Sequence, residues 1–496
     1  MNNRIRQITY LIGWLFLILS GLLLIPLMYG LVIGAEDGII QSFIYTALIS
    51  TSLGVLCLGA RPKVSIPLKL SGGMILCAFA WIGISIVGGF PFFFGLNASF
   101  VDSFFESVSG FTTTGITVFT GLDQMSKPIL LWRSLIQWVG GLGILTFFLF
   151  VTFQNEGDIW QLFAAESHKI NTSRPVPNVF RTIKIFWAVY GLFCFLQFLI
   201  LRLLGLSGFD AVIHSMTALS TGGFSNHDAS VGYYMQAGFE HAALIEYTMI
   251  LFMALGGMNF LMHYYWLTRQ FKTVTSDEET KGYFKIILMF TGLILLSIYL
   301  AGTQSAHFET DFRGTLFQVV SLITSTGYGT VDIGSPYFPA LAKQLFIALM
   351  VIGGCVGSTA GGIKIVRTLI ISKLYKRELK RIYLPRRAIV PVLLNDSPIE
   401  NNEILKIAGL LYVWILLIVV GSGITALFSD LDAFQSISGM ASAVGNMGPF
   451  YFSVGKMGSL SPVIKYTYIF GMLAGRLEML PMFVIFQRAA WKSLGR

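Results

Sequence analysis

The chain has 496 residues, 54% of them hydrophobic and only 12% charged, with a mean hydropathy of +0.71 and a formal net charge of +9. That balance argues against an ordinary water-soluble globular protein and makes a polytopic membrane protein the expectation. The positive charge does not point to nucleic acid, because the basic residues sit in short connections between apolar segments rather than along one helix face.

In chain order, the uncharged stretches long enough for the ~20 residues of a spanning helix are Ile8 to Ala35, Gly38 to Ala60, Leu70 to Val101, Ser134 to Asn155, Tyr247 to Thr268, Ile286 to Phe308, Gln344 to Ile363 and Ile407 to Ser429. Three further segments carry charge: one holds Arg133, one runs from Ile185 to Arg202, and the last holds Arg476 and Glu478. The first stretch exceeds the apolar run of a signal peptide and no small-residue cleavage site follows, so it reads as a retained helix. Cys57, Cys77, Cys194 and Cys355 show no paired spacing and read as small buried apolar residues.

Basic residues alternate between connections. Arg4 and Arg6, then Arg61, Lys63 and Lys69, then Lys169, Arg174 and Arg181, then Arg269, Lys272, Lys281 and Lys285 mark one side, and Lys364 to Arg387 is the densest stretch. The intervening connections carry Glu36, Asp37, Asp123, Asp228, Glu240 and Asp332. The positive-inside rule then predicts ten crossings with both termini cytoplasmic.

A long-period repeat is the most informative feature. It reads Phe105-Glu-Ser-Val-Ser-Gly-Phe-Thr-Thr-Thr-Gly115, Ile213-His-Ser-Met-Thr-Ala-Leu-Ser-Thr-Gly222, Phe317-Gln-Val-Val-Ser-Leu-Ile-Thr-Ser-Thr-Gly327 and Phe434-Gln-Ser-Ile-Ser-Gly-Met-Ala-Ser-Ala-Val-Gly445. Each copy is a half-length apolar segment ending in a polar, glycine-containing turn on the outer side. Irregular backbone at membrane depth survives only where protein buries it or where it lines a water-filled path. A half-helix entering from outside directs its partially negative end inward, favouring a cation. Four such loops make rings of carbonyl oxygens that can replace the hydration shell of K⁺, and Ser325-Thr326-Gly327-Tyr328-Gly329 is close to the Thr-Val-Gly-Tyr-Gly loop of potassium channels. Glu106, His214, Gln318 and Gln435 are expected to brace the half-helices rather than touch the ion.

The chain is thus expected to be an all-α polytopic membrane protein: two leading helices (1–66) and four helix, pore loop, helix repeats (67–155, 156–270, 271–390 and 391–496) in pseudo-fourfold arrangement around one ion pore. The glycine-dense run Gly353-Gly-Cys-Val-Gly-Ser-Thr-Ala-Gly-Gly-Ile-Lys364 interrupts the second helix of the third repeat. Each interior glycine costs a helix about 0.5–1 kcal/mol, so a break and an intramembrane loop are predicted there. Two other readings of this run are a phosphate-binding loop, whose lysine would be one place late with no strand before it, and close helix packing through small residues. Arg476 falls about 21 Å along the last helix from Pro462, at 1.5 Å per residue, where a cation is costly and marks a functional position. It would act as an electrostatic barrier or bond the freed carbonyls of the glycine run.

On these loops, the Gly353–Lys364 run, Gly475-Arg476 and the extra N-terminal helix pair, the chain resembles the Trk/Ktr/HKT superfamily of K⁺ transporters over its whole length, in particular the TrkH-type subunits of bacterial Trk uptake systems. The resemblance implies a homodimer in the bacterial inner membrane and a cytosolic nucleotide-binding regulatory partner of the RCK type. It implies K⁺ held by Thr113, Thr114 and Gly115, by Ser220, Thr221 and Gly222, by Ser325, Thr326 and Gly327, and by Ala443, Val444 and Gly445. Glycine in all four loops resembles the K⁺-selective members rather than the Na⁺-preferring ones. The expected gate is Gly353, Gly354, Gly357, Ser358, Thr359, Gly361 and Gly362 with Arg476, opened when the partner pulls neighbouring helices apart. K⁺ is the expected bound ion, no covalent cofactor or nucleic-acid partner is expected, and no enzyme motif is present. A carrier that couples K⁺ to H⁺ or Na⁺ is the alternative, but carriers bind substrate on broken helices in two repeats, whereas here there are four.

Overall fold

A computed structural model describes residues 2–64, 68, 70–143, 179–385 and 388–495. Lys69, Lys169, Arg174, Arg386 and Arg387, the second half of the Ser134–Asn155 stretch and the boundary at 155/156 lie outside these residues, as does the side chain of Arg181. The first pair of helices is α1 (Asn3–Ile33) and α2 (Asp37–Leu58). Asn2 caps α1, and Gly34, at φ +68°, ends it in the left-handed conformation that glycine adopts without cost. The two helices touch through small residues: a Cβ on Gly13 would lie 2.9 Å from that of Cys57, and one on Gly54 would lie 2.8 Å from Leu17. In lipid, where burying apolar surface gains nothing, such backbone approach supplies the contact.

The other described residues repeat one pattern of long helix, short helix, loop and a further helix, which is bent or broken in the second and third units. In the first unit these are α3 (Leu70–Gly95), α4 (Phe100–Phe111) and α5 (Lys127–Gly141). In the second they are α6 (Val179–Leu203), α7 (Gly208–Leu219) and the bent pair α8 (Ala242–Gly257) and α9 (Phe260–Leu267), which turns through 103°. The third holds α10 (Glu278–Ala301), α11 (Phe308–Ile323), α12 (Ala340–Ile352) and α13 (Ile365–Tyr383). A hairpin of β1 (Leu393–Leu394) and β2 (Ser397–Pro398) leads into the fourth unit, α14 (Asn401–Leu427), α15 (Ala433–Gly445) and α16 (Pro462–Arg476). Among the described residues six helices are long and apolar enough to cross a bilayer, or seven counting the bent pair as one span. The remaining crossings expected from sequence fall on helices broken by glycine or running into residues outside the description.

The short helices have 12, 12, 16 and 13 residues. At 1.5 Å per residue none spans a ~30 Å hydrocarbon core. Ser99, Ser207 and Asp432 cap three of them, each accepting from the backbone N–H three residues on. Their C-terminal ends are wholly buried, and there the loops meet.

Candidate functional site

All four short helices end alike. The N–H of Thr114, Gly222, Thr326 and Met447 bonds at 2.9 Å to the carbonyl five residues earlier, on Ser109, Thr217, Ser321 and Ser442. The residue before each, Thr113, Thr221, Ser325 or Asn446, is left-handed at φ +52° to +54°, and the glycine after each is Gly115, Gly223, Gly327 or Gly448 at φ +74° to +100°.

These glycines close a ring. A Cβ on Gly115 would fall 2.3 Å from the Gly222 carbonyl oxygen, one on Gly223 1.9 Å from Thr326 O, one on Gly327 2.3 Å from Met447 O, and one on Gly448 3.1 Å from Thr114 O. Each loop's carbonyl thus lies against the glycine of the loop before it, the fourth returning to the first. A side chain at the first three positions would force the neighbouring backbone to shift. Above the ring opens a cavity of about 450 Å³ lined by all four glycines.

This geometry corrects the register of two loops. In the first and third, Thr113, Thr114, Gly115, Ser325, Thr326 and Gly327 stand where sequence places them. In the second, Ser220 is only the helix cap, and the equivalents are Thr221, Gly222 and Gly223. In the fourth, Ala443, Val444 and Gly445 are still α-helical, and the turn is made by Asn446, Met447 and Gly448. Both loops carry two glycines, Gly222-Gly223 and Gly445-Asn-Met-Gly448, and the ring uses the second of each. A spacing common to all four copies identifies the right one: Ser109, Thr217, Ser321 and Ser442 each precede the ring glycine by six residues.

The bracing side chains follow the same register. Glu106 accepts from Arg133 Nε at 2.8 Å, Thr117 Oγ1 at 2.8 Å and Val118 N at 3.1 Å. Arg133 also donates to Ser225 O at 3.0 Å and lies 4.1 Å from the Phe224 ring centre, tying the first loop to the second. His214 contacts the Tyr328 hydroxyl at 3.2 Å and Gln318 donates to Val331 O at 2.8 Å. Gln435 differs: it forms a capping box with Asp432 at the far end of its helix, and Gly439 occupies the bracing position. Farther out, His227 Nδ1 meets Asp123 Oδ1 at 2.5 Å, the Asp228 N–H donates to Asp123 Oδ2, and Asp228 Oδ1 accepts from Gly121 and Leu122. Burial pushes the Asp123 carboxyl up, but the His227 and Asp228 bonds outweigh it and hold it below its ordinary value.

Beneath the ring, α12 stops at Ile352 and α13 begins at Ile365, as the glycine run predicts. Gly353 and Gly362 cross closely, a Cβ on Gly362 falling 2.5 Å from the Gly353 Cα, so the run folds back on itself. Gly354 and Gly361 press on neighbouring backbone, a Cβ on Gly361 meeting Gly445 O at 2.3 Å. The Gly361 N–H donates to Ser325 Oγ at 2.5 Å, and Thr359 Oγ1 bonds to Leu219 O and Gly256 O at 3.0 Å. Ser358 Oγ donates to Cys355 O, and the Gly357 carbonyl accepts from Phe260 N at the α8/α9 bend. Arg476 donates to Thr359 O at 2.8 Å, Thr113 Oγ1 at 3.2 Å, Gly140 O at 2.5 Å and Gly141 O at 2.8 Å. It therefore bonds the first ring loop, the glycine segment and the end of α5 at once. The first two units have Gly141 and Gly257 packed against Ser220 and Thr324 of the next loop, where the fourth has Arg476 against Thr113.

Among the described residues no cluster of His, Cys, Asp or Glu suits a metal ion. The fold and this geometry define a multi-pass helical membrane protein whose four repeated loops close a ring above a broken helix. Residues 37–492 match the TrkH family, described as cation transport proteins, and the chain belongs to that family. It is 30% identical to the Trk system potassium uptake protein TrkH of Escherichia coli K12 over 493 residues, covering 98% of this chain and 99% of that one. It is 32% identical to an uncharacterized cation transporter of Methanocaldococcus jannaschii, covering 99% of this chain and 97% of that one. Its fold is similar to the crystal structure of the potassium transporter TrkH from Vibrio parahaemolyticus, with a TM-score of 0.86 and 28% identity over 98% of this chain and 99% of that one.

Proposed function

We propose that this chain is the membrane subunit of a K⁺ uptake system, conducting K⁺ through the ring formed by Thr114, Gly222, Thr326 and Met447 and the glycines that follow. The single observation that carries this reading is the interlocked ring, in which each loop's carbonyl lies against the glycine of the loop before it. Backbone oxygens held by rigid capping can replace K⁺ hydration, and they need no particular side chain. That accounts for a fourth loop with asparagine and methionine where the others have threonine, serine or glycine. The names of the E. coli and V. parahaemolyticus relatives support K⁺ as the ion.

The glycine segment Gly353–Gly362 and Arg476 form the barrier below the ring. Arg476 places a cation on the ion's route and pins Thr359, so opening requires the segment to release it. The chain lies in the bacterial inner membrane as a homodimer, with both termini and the basic α13 segment cytoplasmic, where a nucleotide-binding regulatory subunit engages it. Uptake of ⁸⁶Rb⁺, a K⁺ surrogate, into proteoliposomes tests the reading: wild type should exclude Na⁺, and Gly115→Ser should admit it. An unaltered ratio in that variant removes the first loop from the filter. A pore is favoured over a carrier coupled to H⁺ or Na⁺ by the four-loop closure, and Rb⁺ uptake driven by an imposed proton gradient without a membrane potential would reverse that preference.

A further inference from the structure

Glu279, in the first turn of α10, belongs to neither the ring nor the glycine segment, yet its buried carboxylate bonds to backbone inside that segment and to the helix that follows it. Its Oε1 accepts the Val356 N–H at 2.8 Å and the Val366 N–H at 3.3 Å. Val356 lies inside the glycine segment and Val366 in the first turn of α13, where a carboxylate also meets the positive end of the helix dipole. One oxygen therefore fixes the distance between the segment and the helix that leaves it.

The two residues before Glu279 hold the β1/β2 hairpin. Asn395 Oδ1 accepts from Glu278 N at 2.9 Å, Asn395 N donates to Glu278 Oε1 at 3.0 Å, and Asn395 Nδ2 donates to Asp277 Oδ1 at 3.0 Å. Lys373 of α13 pairs with Glu278 and donates to Leu393 O at 2.8 Å. Asn395 and Asp396 are both left-handed, at φ +46° and +59°, the backbone of a tight two-residue hairpin. An apolar cluster makes a second link: Val392 and Leu394 from the hairpin bury with Val366 and Ile370, and Val356 packs against them.

We infer that the Asn395 hairpin is a lever on the glycine segment, acting through the adjoining Asp277–Glu279 turn, with Glu279 as the positioning residue that holds the segment closed. This deepens the proposed function, since it rests on the segment being the barrier. A load on the hairpin or on Lys373 displaces the α10 N-terminus, and Glu279 loosens Val356 and Val366 together. The displacement needs no contact with Arg476.

The test reads the segment directly. Cys355 is buried beside Val356, so its maleimide labelling in the full chain, followed by peptide mass spectrometry, reports opening whether or not ions flow. Losing one bond to a charged group should raise the opening equilibrium about tenfold. Glu279→Ala and Asn395→Ala should each speed Cys355 labelling by at least that factor with Cys77 unchanged, while Glu279→Gln, which keeps an acceptor oxygen, should stay near wild type. Unchanged Cys355 labelling in Glu279→Ala or Asn395→Ala overturns the lever, as does Cys77 rising in parallel. If Cys355 opens but ⁸⁶Rb⁺ uptake does not rise, the lever stands and the barrier role of the segment falls.

Discussion

The ring of loops and the glycine segment beneath it use the same material, small polar residues and glycine with freed backbone, but they are anchored differently. Each ring loop bonds first to its own short helix, through the carbonyls of Ser109, Thr217, Ser321 and Ser442. The glycine segment bonds outward: Thr359 to α7 and α8, Gly361 to the third ring loop, Val356 to α10, and Thr359 O to α16 through Arg476. A structure anchored to itself keeps its geometry when neighbours move, whereas one held by five neighbours changes when any of them does. Selectivity needs the first property and gating the second.

Four outcomes would break or sharpen that contrast. The largest effect is expected in the ring, where Gly223→Ala combines a forbidden φ with a Cβ 1.9 Å from Thr326 O. It should cut ⁸⁶Rb⁺ uptake at least about tenfold, and full uptake in a correctly inserted protein would contradict the corrected second loop. Next, Arg133→Met leaves Glu106 buried without its cation and should lower unfolding stability by about 3–5 kcal/mol, read as loss of the ring's thermal protection in detergent. Below the ring, Arg476→Ala removes bonds to Thr359, Thr113, Gly140 and Gly141. It should raise basal uptake about tenfold, the equivalent of one charged hydrogen bond, leaving the Rb⁺/Na⁺ ratio unchanged. A changed ratio with unchanged flux would assign Arg476 to the filter instead.

The smallest effect is at the outer rim. Because the Asp123 carboxyl is held below its ordinary value, its contribution is present above the unfolded pKa of about 3.9 and is lost as pH falls through the folded one. Amide exchange at Asp228, corrected for intrinsic rate, should therefore quicken below about pH 4. Asp123→Asn should abolish that pH dependence.

Much of this was legible in the sequence because membranes restrict backbone so severely. A half-length helix ending in a glycine turn has few places to go, and a run such as Gly353–Gly362 cannot remain helical in a spanning segment. Register was less legible, since Gly222-Gly223 and Gly445-Asn-Met-Gly448 each offer two glycines, and only the cap carbonyl on Thr217 or Ser442 decides between them. Gln435 misled for a related reason, sharing a large-apolar-then-Gln pattern with Gln318 while starting its helix rather than bracing it. The role of Glu279 was invisible, because its partners Val356 and Val366 are 77 and 87 residues away and offer only backbone N–H groups.

The most direct measurement is Rb⁺ anomalous scattering from crystals of the chain grown with Rb⁺ in place of K⁺. The account predicts a peak on the ring axis, encircled by the carbonyl oxygens of Thr114, Gly222, Thr326 and Met447. A peak instead at Ser220, Ala443 or Val444, or none at the ring under conducting conditions, would contradict it.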